Sequence, residues 1–368
     1  MTRTKKVLGV ILALVAVVVL SLALIVSHDS ACGPAPSLPS NATLMKAIVH
    51  RCYGSLDVLK FEDIEKPTPK DDEVLVKVHA ASVNPLDWHY MRGEPYLVRM
   101  DGGLGAPTNP RLGVDFAGTV EAIGKNVKRF KQGDEVFGGK FGAFAEYVSV
   151  REDRAVVLKP PNVTFEQAAS VPIAALTALQ ALRDKGHIQA GQKVLINGAS
   201  GGVGTFAVQI AKSFGADVTG VCSTRNVDMV RSIGADHVID YTKEDFTKGD
   251  QRYDLIVDNV GSHSLSEYKR VLNPKGNFVM VGSTDKGKWI GGMSTPLKAF
   301  MLSPFVSQKM VFMLAELTPE DLTKIGDLMQ TGKVTPVIDR RYKLNEVPAA
   351  IGYLEEGHAR GKVVINLE

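Results

Sequence analysis

The chain has 368 residues, 45% of them hydrophobic and 23% charged, an ordinary globular composition with length enough for two domains with real cores, which excludes a disordered chain. Its 43 Lys and Arg against 40 Asp and Glu leave a formal charge of +3 without a basic cluster, so no electrostatic footprint for nucleic acid is present. Three widely spaced cysteines, Cys32, Cys52 and Cys222, form neither a disulfide framework nor a zinc knuckle and read as buried or idle thiols.

The first element is the uncharged run VLGVILALVAVVVLSLALIV, Val7 to Val26, preceded by Arg3, Lys5 and Lys6. Roughly twenty such residues suffice for a helix to cross the ~30 Å hydrocarbon layer, so residues 1–26 predict a single-pass N-terminal membrane anchor. The alternative is a signal peptide, cleaved to give a secreted protein, although the apolar core of such a peptide is usually about 7–15 residues. Residues 27–44, rich in Pro, Ser and Ala, read as a flexible linker.

From Met45 to Val157 short alternating runs such as EVLVKVHAASV, FAGTVEAIG and AFAEYVSV are separated by glycine-rich turns, the pattern of a compact barrel-like β domain. Phe165 to Gly186 then carries apolar residues at helical spacing. From Lys193 the rhythm becomes strand, helix, strand, helix. KVLING, DVTGVCS, HVIDY, YDLIVDNVG and GNFVMVGS are continuously apolar, as parallel strands covered on both faces are, and they predict a doubly wound α/β domain. A helix in PEDLTKIGDLMQTGKV and a return to short strands follow.

Where KVLI hands over to a helix the chain reads NGASGGVG, with Ala199, Gly201 and Gly204 in the three positions of a G-x-G-x-x-G fingerprint. In this context free backbone N–H groups and a helix dipole meet a pyrophosphate. NAD-binding versions place an acid about 20 residues further on, at the end of the second strand. Here that strand ends in Ser223, Thr224 and Arg225, which attract a 2′-phosphate where a carboxylate would repel it, so NADPH is favoured over NADH.

Across nearly all of Met45 to Glu368 the chain resembles the medium-chain dehydrogenase/reductase superfamily, in its zinc-free quinone oxidoreductase branch. The resemblance is carried by AASVNPLDWHYMRG, GVDFAGTVEAIGKNVKRFKQGDEVFG, AASVPIAALTALQAL, NGASGGVG, GADHVIDY and LNPKGNFVMVG, in that order. It implies an α/β fold class: a GroES-like β-barrel-type catalytic domain plus a Rossmann doubly wound parallel-sheet domain, here preceded by one N-terminal transmembrane helix. The expected units are 45–165 for the first part of the catalytic domain, 166–318 for the NADP-binding domain and 319–368 for the return to the catalytic domain.

Zinc enzymes of the superfamily hold the catalytic metal with a Cys at the position of Asn84 and a His followed by Glu at those of Val114 and Asp115. Neither the Cys nor the His is present, and the four-cysteine lobe is missing too, so the resemblance implies a metal-free enzyme. Without a Lewis acid the easier chemistry is hydride addition to an already activated acceptor, a quinone or an α,β-unsaturated carbonyl. The alternatives are an alcohol dehydrogenase or enoyl reductase on the same scaffold, and a non-catalytic NADPH-binding sensor or scaffold.

Asn84, His89 and Tyr90 in NPLDWHY are the expected donors toward the developing oxyanion, the family often having Tyr where this chain has His89. Expected cofactor contacts are Thr177, the turn Gly198, Ala199, Ser200, Gly201, Gly202, Val203 and Gly204, the patch Ser223, Thr224, Arg225 and Tyr241, and Asn259, Gly261, Gly282 and Asn366. Expected partners are a small quinone or enone, the membrane through the N-terminal helix, and possible association as a homodimer.

Overall fold

The computed structural model describes residues 3–283, 287–289, 291–293 and 307–367. Residues 1–2 of the expected anchor and residues 284–286, 290 and 294–306 of the expected 166–318 unit lie outside the described residues.

Among the described residues no helix is long and apolar enough to cross a membrane, which overturns the expectation of a single-pass anchor and of the membrane as a partner. The physical difference is clearest where helix α1 (Arg3–Ser27) ends. The carbonyls of Val26, in its last turn, and of His28, just beyond it, are held on the body of the protein by Arg99. The following segment is fixed as well, because Cys32 and Cys52 form a disulfide. Reading all three cysteines as idle thiols is thereby corrected for this pair, while Cys222 is free and buried.

The body begins with an antiparallel hairpin, β1 (Leu44–Val49) and β2 (Lys60–Glu65). Then come β3 (Glu73–Val83), α2 (Pro85–Arg92), α3 (Arg99–Gly102), β4 (Asp115–Ile123), β5 (Glu135–Gly139), β6 (Tyr147–Arg151) and β7 (Val156–Leu158). The run of helical spacing from Phe165 is carried by two helices, α4 (Phe165–Ala169) and α5 (Pro172–Gln180). Pro172 has no N–H to give to the preceding turn, so it starts a helix and cannot continue one.

Next follow β8 (Lys193–Asn197), α6 (Gly202–Ser213), β9 (Asp217–Cys222), α7 (Val227–Ser232), β10 (His237–Asp240), β11 (Tyr253–Asp258), α8 (Leu265–Val271), β12 (Leu272–Met280) and β13 (Lys309–Phe312). These six strands form one parallel sheet in the order β10-β9-β8-β11-β12-β13. Counted from β8 that order is 3-2-1-4-5-6, which puts its reversal at the C-terminal ends of β8 and β11, where open α/β sheets bind ligands. The central strands are buried along nearly their whole length, which is why they read as continuous apolar runs.

After the helix Pro319–Gln330, whose N-cap Thr318 Oγ1 accepts from Asp321 N, the chain returns as β14 (Ile338–Lys343), the helix Val347–Glu355 and β15 (Lys362–Asn366). β15 inserts between β14 and β3 in a sheet of order β14-β15-β3-β4-β5-β7, with β6 also paired to β3. Ala80, Ala117 and Phe137 of this sheet share one apolar core with α5, α6 and the parallel sheet, so the cleft between the two domains has a common floor.

Candidate functional site

The glycine turn is built from two kinds of glycine. Gly198 has φ +75°, a conformation that L side chains rarely adopt, and Gly201 N donates to its carbonyl at 3.1 Å to close the turn. A Cβ on Gly204 would sit 2.0 Å from that same carbonyl, so only glycine lets the start of α6 pack this close. Gly201 is different. Its backbone is extended (φ −82°, ψ 178°), and a Cβ there would meet nothing nearer than Gly198 O at 3.5 Å.

Neither strain nor packing within the protein requires glycine at 201. Its bareness faces open space at the N-terminus of a helix that has no acid in its first turn, Gly202, Val203 and Gly204. That is a cradle for an approaching anion, and the residues present fit a dinucleotide pyrophosphate. Ala199, fully buried, anchors the turn through its N–H to Val221 O (3.0 Å), and Ser200 O accepts from Gly361 N (2.9 Å).

At the end of β9, Arg225 is exposed and its Nη2 donates to His358 O at 2.8 Å. Tyr241 is 60% exposed beside it in the fold. Ser223 and Ser200 hydroxyls both accept from the Asn226 side chain, at 3.2 and 3.1 Å. Asn226 was not anticipated. It is buried, and its Oδ1 has no protein partner.

The exposed Thr224 donates its hydroxyl to Asp240 Oδ2 at 2.6 Å. This aspartate, from the neighbouring strand, is an acid that sequence spacing did not place here. Hydrogen bonds from Thr224 and Thr242 and from the Lys243 ammonium keep its carboxyl well below the usual range and satisfy its charge.

On the other side of the switch point, Asn259 Nδ2 donates to Asn197 O at 2.9 Å, while its buried Oδ1 has no protein partner. Gly261 (φ +72°) and Gly282 are required by close approach: a Cβ on Gly282 would lie 2.2 Å from Asn259 O, and one on Gly261 2.9 Å from Ser283 Cα. Thr177 is nearly buried on α5, its hydroxyl bonded to Ile173 O. Asn366 ends β15, in register with Ala80 of β3.

The expected donors are committed elsewhere. Asn84 Nδ2 donates to Asp115 Oδ2 (2.8 Å) and to Ser82 O (3.5 Å), and its Oδ1 accepts from Lys362 Nζ at 2.6 Å, so both ends of the amide are used inside the protein. Tyr90 gives its hydroxyl proton to Asp101 (2.6 Å), and burial together with that carboxylate raises its pKa. His89 Nδ1 lies 2.7 Å from Glu94 O and therefore carries the proton; burial lowers the pKa of the ring, leaving Nε2 unprotonated at neutral pH.

Lys362 is the residue sequence reasoning missed. It is 3% exposed, with Nζ bonded to Asn84 Oδ1 and Val83 O and 3.5 Å from Asp115 Oδ2. Asp115 is fully buried and also accepts from Ser82 Oγ and from Ile173 N at the start of α5. Burial lowers the Lys362 pKa, and the facing carboxylates oppose that shift. Burial pushes the neighbouring Asp87 carboxyl up to about 7.

The positions at which zinc relatives would place ligands thus hold an amide, a valine and a carboxylate already facing an ammonium. This donor set does not fit a metal ion. Because Lys362 Cδ would lie 3.3 Å from a Cβ on Gly202, and Gly361 bridges Gly201, one short segment joins the glycine turn to the entry of α2. On the loop after α2, Glu94 pairs with Lys288 at 2.8 Å, and the Tyr96 and Trp289 rings meet edge to face at 5.0 Å.

The family model described as alcohol dehydrogenase GroES-like domain matches residues 70–161, and that described as zinc-binding dehydrogenase matches residues 233–365. Among similar proteins, the 2-methylene-furan-3-one reductase of Solanum lycopersicum is 36% identical over 345 residues, covering 90% of this chain and 80% of that protein. The NADPH-dependent alkenal/one oxidoreductase, chloroplastic, of Arabidopsis thaliana is 35% identical, covering 87% and 79%. The solved structure of the quinone oxidoreductase from Coxiella burnetii superposes with a TM-score of 0.77 at 31% identity, covering 89% of this chain and all of that one.

Proposed function

Because the chain belongs to the medium-chain dehydrogenase/reductase superfamily, in its zinc-free branch, we propose that it is an NADPH-dependent oxidoreductase that reduces quinones or α,β-unsaturated carbonyls. The observation that carries this reading is Gly201, bare toward open space at the N-terminus of α6 when the protein itself needs no glycine there. When bound, NADPH supplies the hydride; the chain binds and orients it. Backbone N–H groups from Gly201 to Gly204 would take the pyrophosphate, and Arg225, Ser223 and Tyr241 the 2′-phosphate. Asn226 Oδ1 and Asn259 Oδ1, acceptors without protein partners, would take hydroxyl or amide protons.

The acceptor needs no metal, since conjugation carries the incoming charge onto its oxygen. The hydrogens of Asn84, His89 and Tyr90 are held by Asp115, Glu94 and Asp101, so these residues shape the site, and the oxygen of the reduced acceptor takes its proton from solvent. The named relatives act on such acceptors, which supports the same class here.

The deciding experiment mixes the purified protein with NADPH and a panel of quinones, enones, saturated ketones and enoyl thioesters, following loss of the reduced nicotinamide absorbance. Turnover of quinones or enones is expected. Turnover confined to saturated ketones or enoyl thioesters would move the reading to the sister activities, and tight NADPH binding without turnover would make the protein a sensor.

A further inference from the structure

The loop from Gly93 to Pro110 follows α2, bonds its His89 and Tyr90 through Glu94 O and Asp101, and carries Tyr96 against Trp289. Within it Arg99 is 2% exposed, and a buried guanidinium is tolerable only when its donors are paired. Nε donates to Gly93 O at 2.8 Å, Nη1 to Val26 O and His28 O at 3.1 Å each, and Nη2 pairs with Asp29 at 2.7 Å. The rings of Tyr53 and Tyr96 each lie 4.6 Å from its central carbon. Three of its four oxygen partners thus belong to residues 26–29, and one of its rings, Tyr96, packs against Trp289.

Contacts independent of Arg99 follow the same path. Ser30 N donates to Gly105 O at 2.9 Å, and Gly105 has φ +77° at a point where a Cβ would lie 2.8 Å from Ser30 Oγ. Beyond Ser30 the disulfide Cys32–Cys52 leads to Tyr53, whose hydroxyl donates to Gly103 O at 2.7 Å. The segment before the first strand therefore touches this loop at Gly105 and at its buried arginine.

We propose that Val26–Cys32 is a built-in strap that completes the acceptor wall, with Arg99 as its positioning residue and the Cys32–Cys52 bond setting how firmly it is held. Cys32 is three residues from Asp29, so the intact bond keeps the Asp29 carboxylate at high effective concentration beside Arg99. A dithiol opens it: two electrons and two protons give thiols at Cys32 and Cys52 while the dithiol closes to its own disulfide. The freed strap then exchanges on and off the loop, and Tyr96 loses its fixed place.

The kinetic part of this proposal rests on the hydride-transfer reading, and its test separates the two. Asp29→Asn and Cys32→Ser both alter exposed residues of the strap in the full chain; Arg99→Gln alters the buried arginine that holds it. Each is expected to raise the acceptor KM by about fivefold or more while NADPH Kd stays within about twofold, as loss of a charge-assisted contact on one side of the cleft requires. Dithiol treatment should bring the wild type to the Cys32→Ser value and leave that variant unchanged. In parallel, hydrogen exchange at amides 93–106 should quicken in every variant. Unchanged exchange there, or KM and NADPH Kd rising together, overturns the strap. If no acceptor turns over at all, the function reading falls and the exchange data alone decide the strap.

Discussion

Arg225 is an exposed side chain with a fixed address. Its bond to His358 O holds the guanidinium at the end of β9 before any ligand arrives, so less side-chain freedom is lost on binding. Replacing it with Ala should weaken NADPH binding by about 1.5–3 kcal/mol, or one to two decades, and NADH binding hardly at all; equal losses in parallel titrations would remove the 2′-phosphate from this patch. His50 gives a second test. Burial lowers its pKa from 6.5 to about 4, against a weaker opposing hydrogen bond to the Cys52 backbone. The folded pKa lies below the unfolded one, so the unfolded chain binds more protons between those values. Stability is therefore full above about pH 6.5 and declines as pH falls toward 4. Between pH 7 and pH 5 the wild type should lose about 2 kcal/mol more than His50→Gln, read from denaturant midpoints at both pH values. Such residues differ in legibility. Ser223 to Arg225 could be found because they follow a strand of recognisable rhythm. Lys362 could not, because its meaning lies in Asn84, 278 positions away, and an isolated lysine reads as solvated. Asp240 and Asn226 were hidden likewise, their roles set by a neighbouring strand and a side-chain rotamer.

In α6 two glycines three residues apart should respond oppositely. Gly204→Ala places a methyl 2.0 Å from Gly198 O and should cost about 1–3 kcal/mol of stability or more, seen in thermal or denaturant unfolding. Gly201→Val enters open space with an extended backbone that β-branched residues adopt, so its melting should move by no more than about 1 kcal/mol while dinucleotide binding disappears. A folded Gly201→Val protein that still binds NADPH would remove the main support for the oxidoreductase reading. Strands were the most legible elements, since burial on both faces writes itself as unbroken apolar runs in β8, β9 and β11. The helical spacing from Phe165 did not reveal the break between two helices, because apolar spacing continues through Pro172, where the hydrogen-bond ladder does not. The N-terminal segment was misjudged more deeply. Hydropathy describes a segment by itself, whereas its attachment through Arg99 and Cys52 depends on residues 73 and 20 positions further along the chain.

At the scale of the molecule, the parallel sheet is made from one unbroken stretch, β8 to β13, whereas the other sheet needs both flanks of it. β15 sits between β14 and β3, pairing Val363 with Val83 and delivering Lys362 to Asn84. Two sheets of similar size therefore mature at different moments during synthesis. The nucleotide domain can close as soon as its own strands have left the ribosome, while β3 waits with an open edge for a strand encoded more than 270 residues later. A chain ended after residue 337, lacking β14 and β15, should keep a protease-resistant nucleotide domain while residues 44–158 are digested; equal resistance of both halves would show that β3 and β4 need no such partner. The buried ammonium of Lys362 then acts as a finishing stone: until it arrives, Asp115 faces Asn84 without its counter-charge, and the newborn protein can gather nucleotide before it owns a place to spend it.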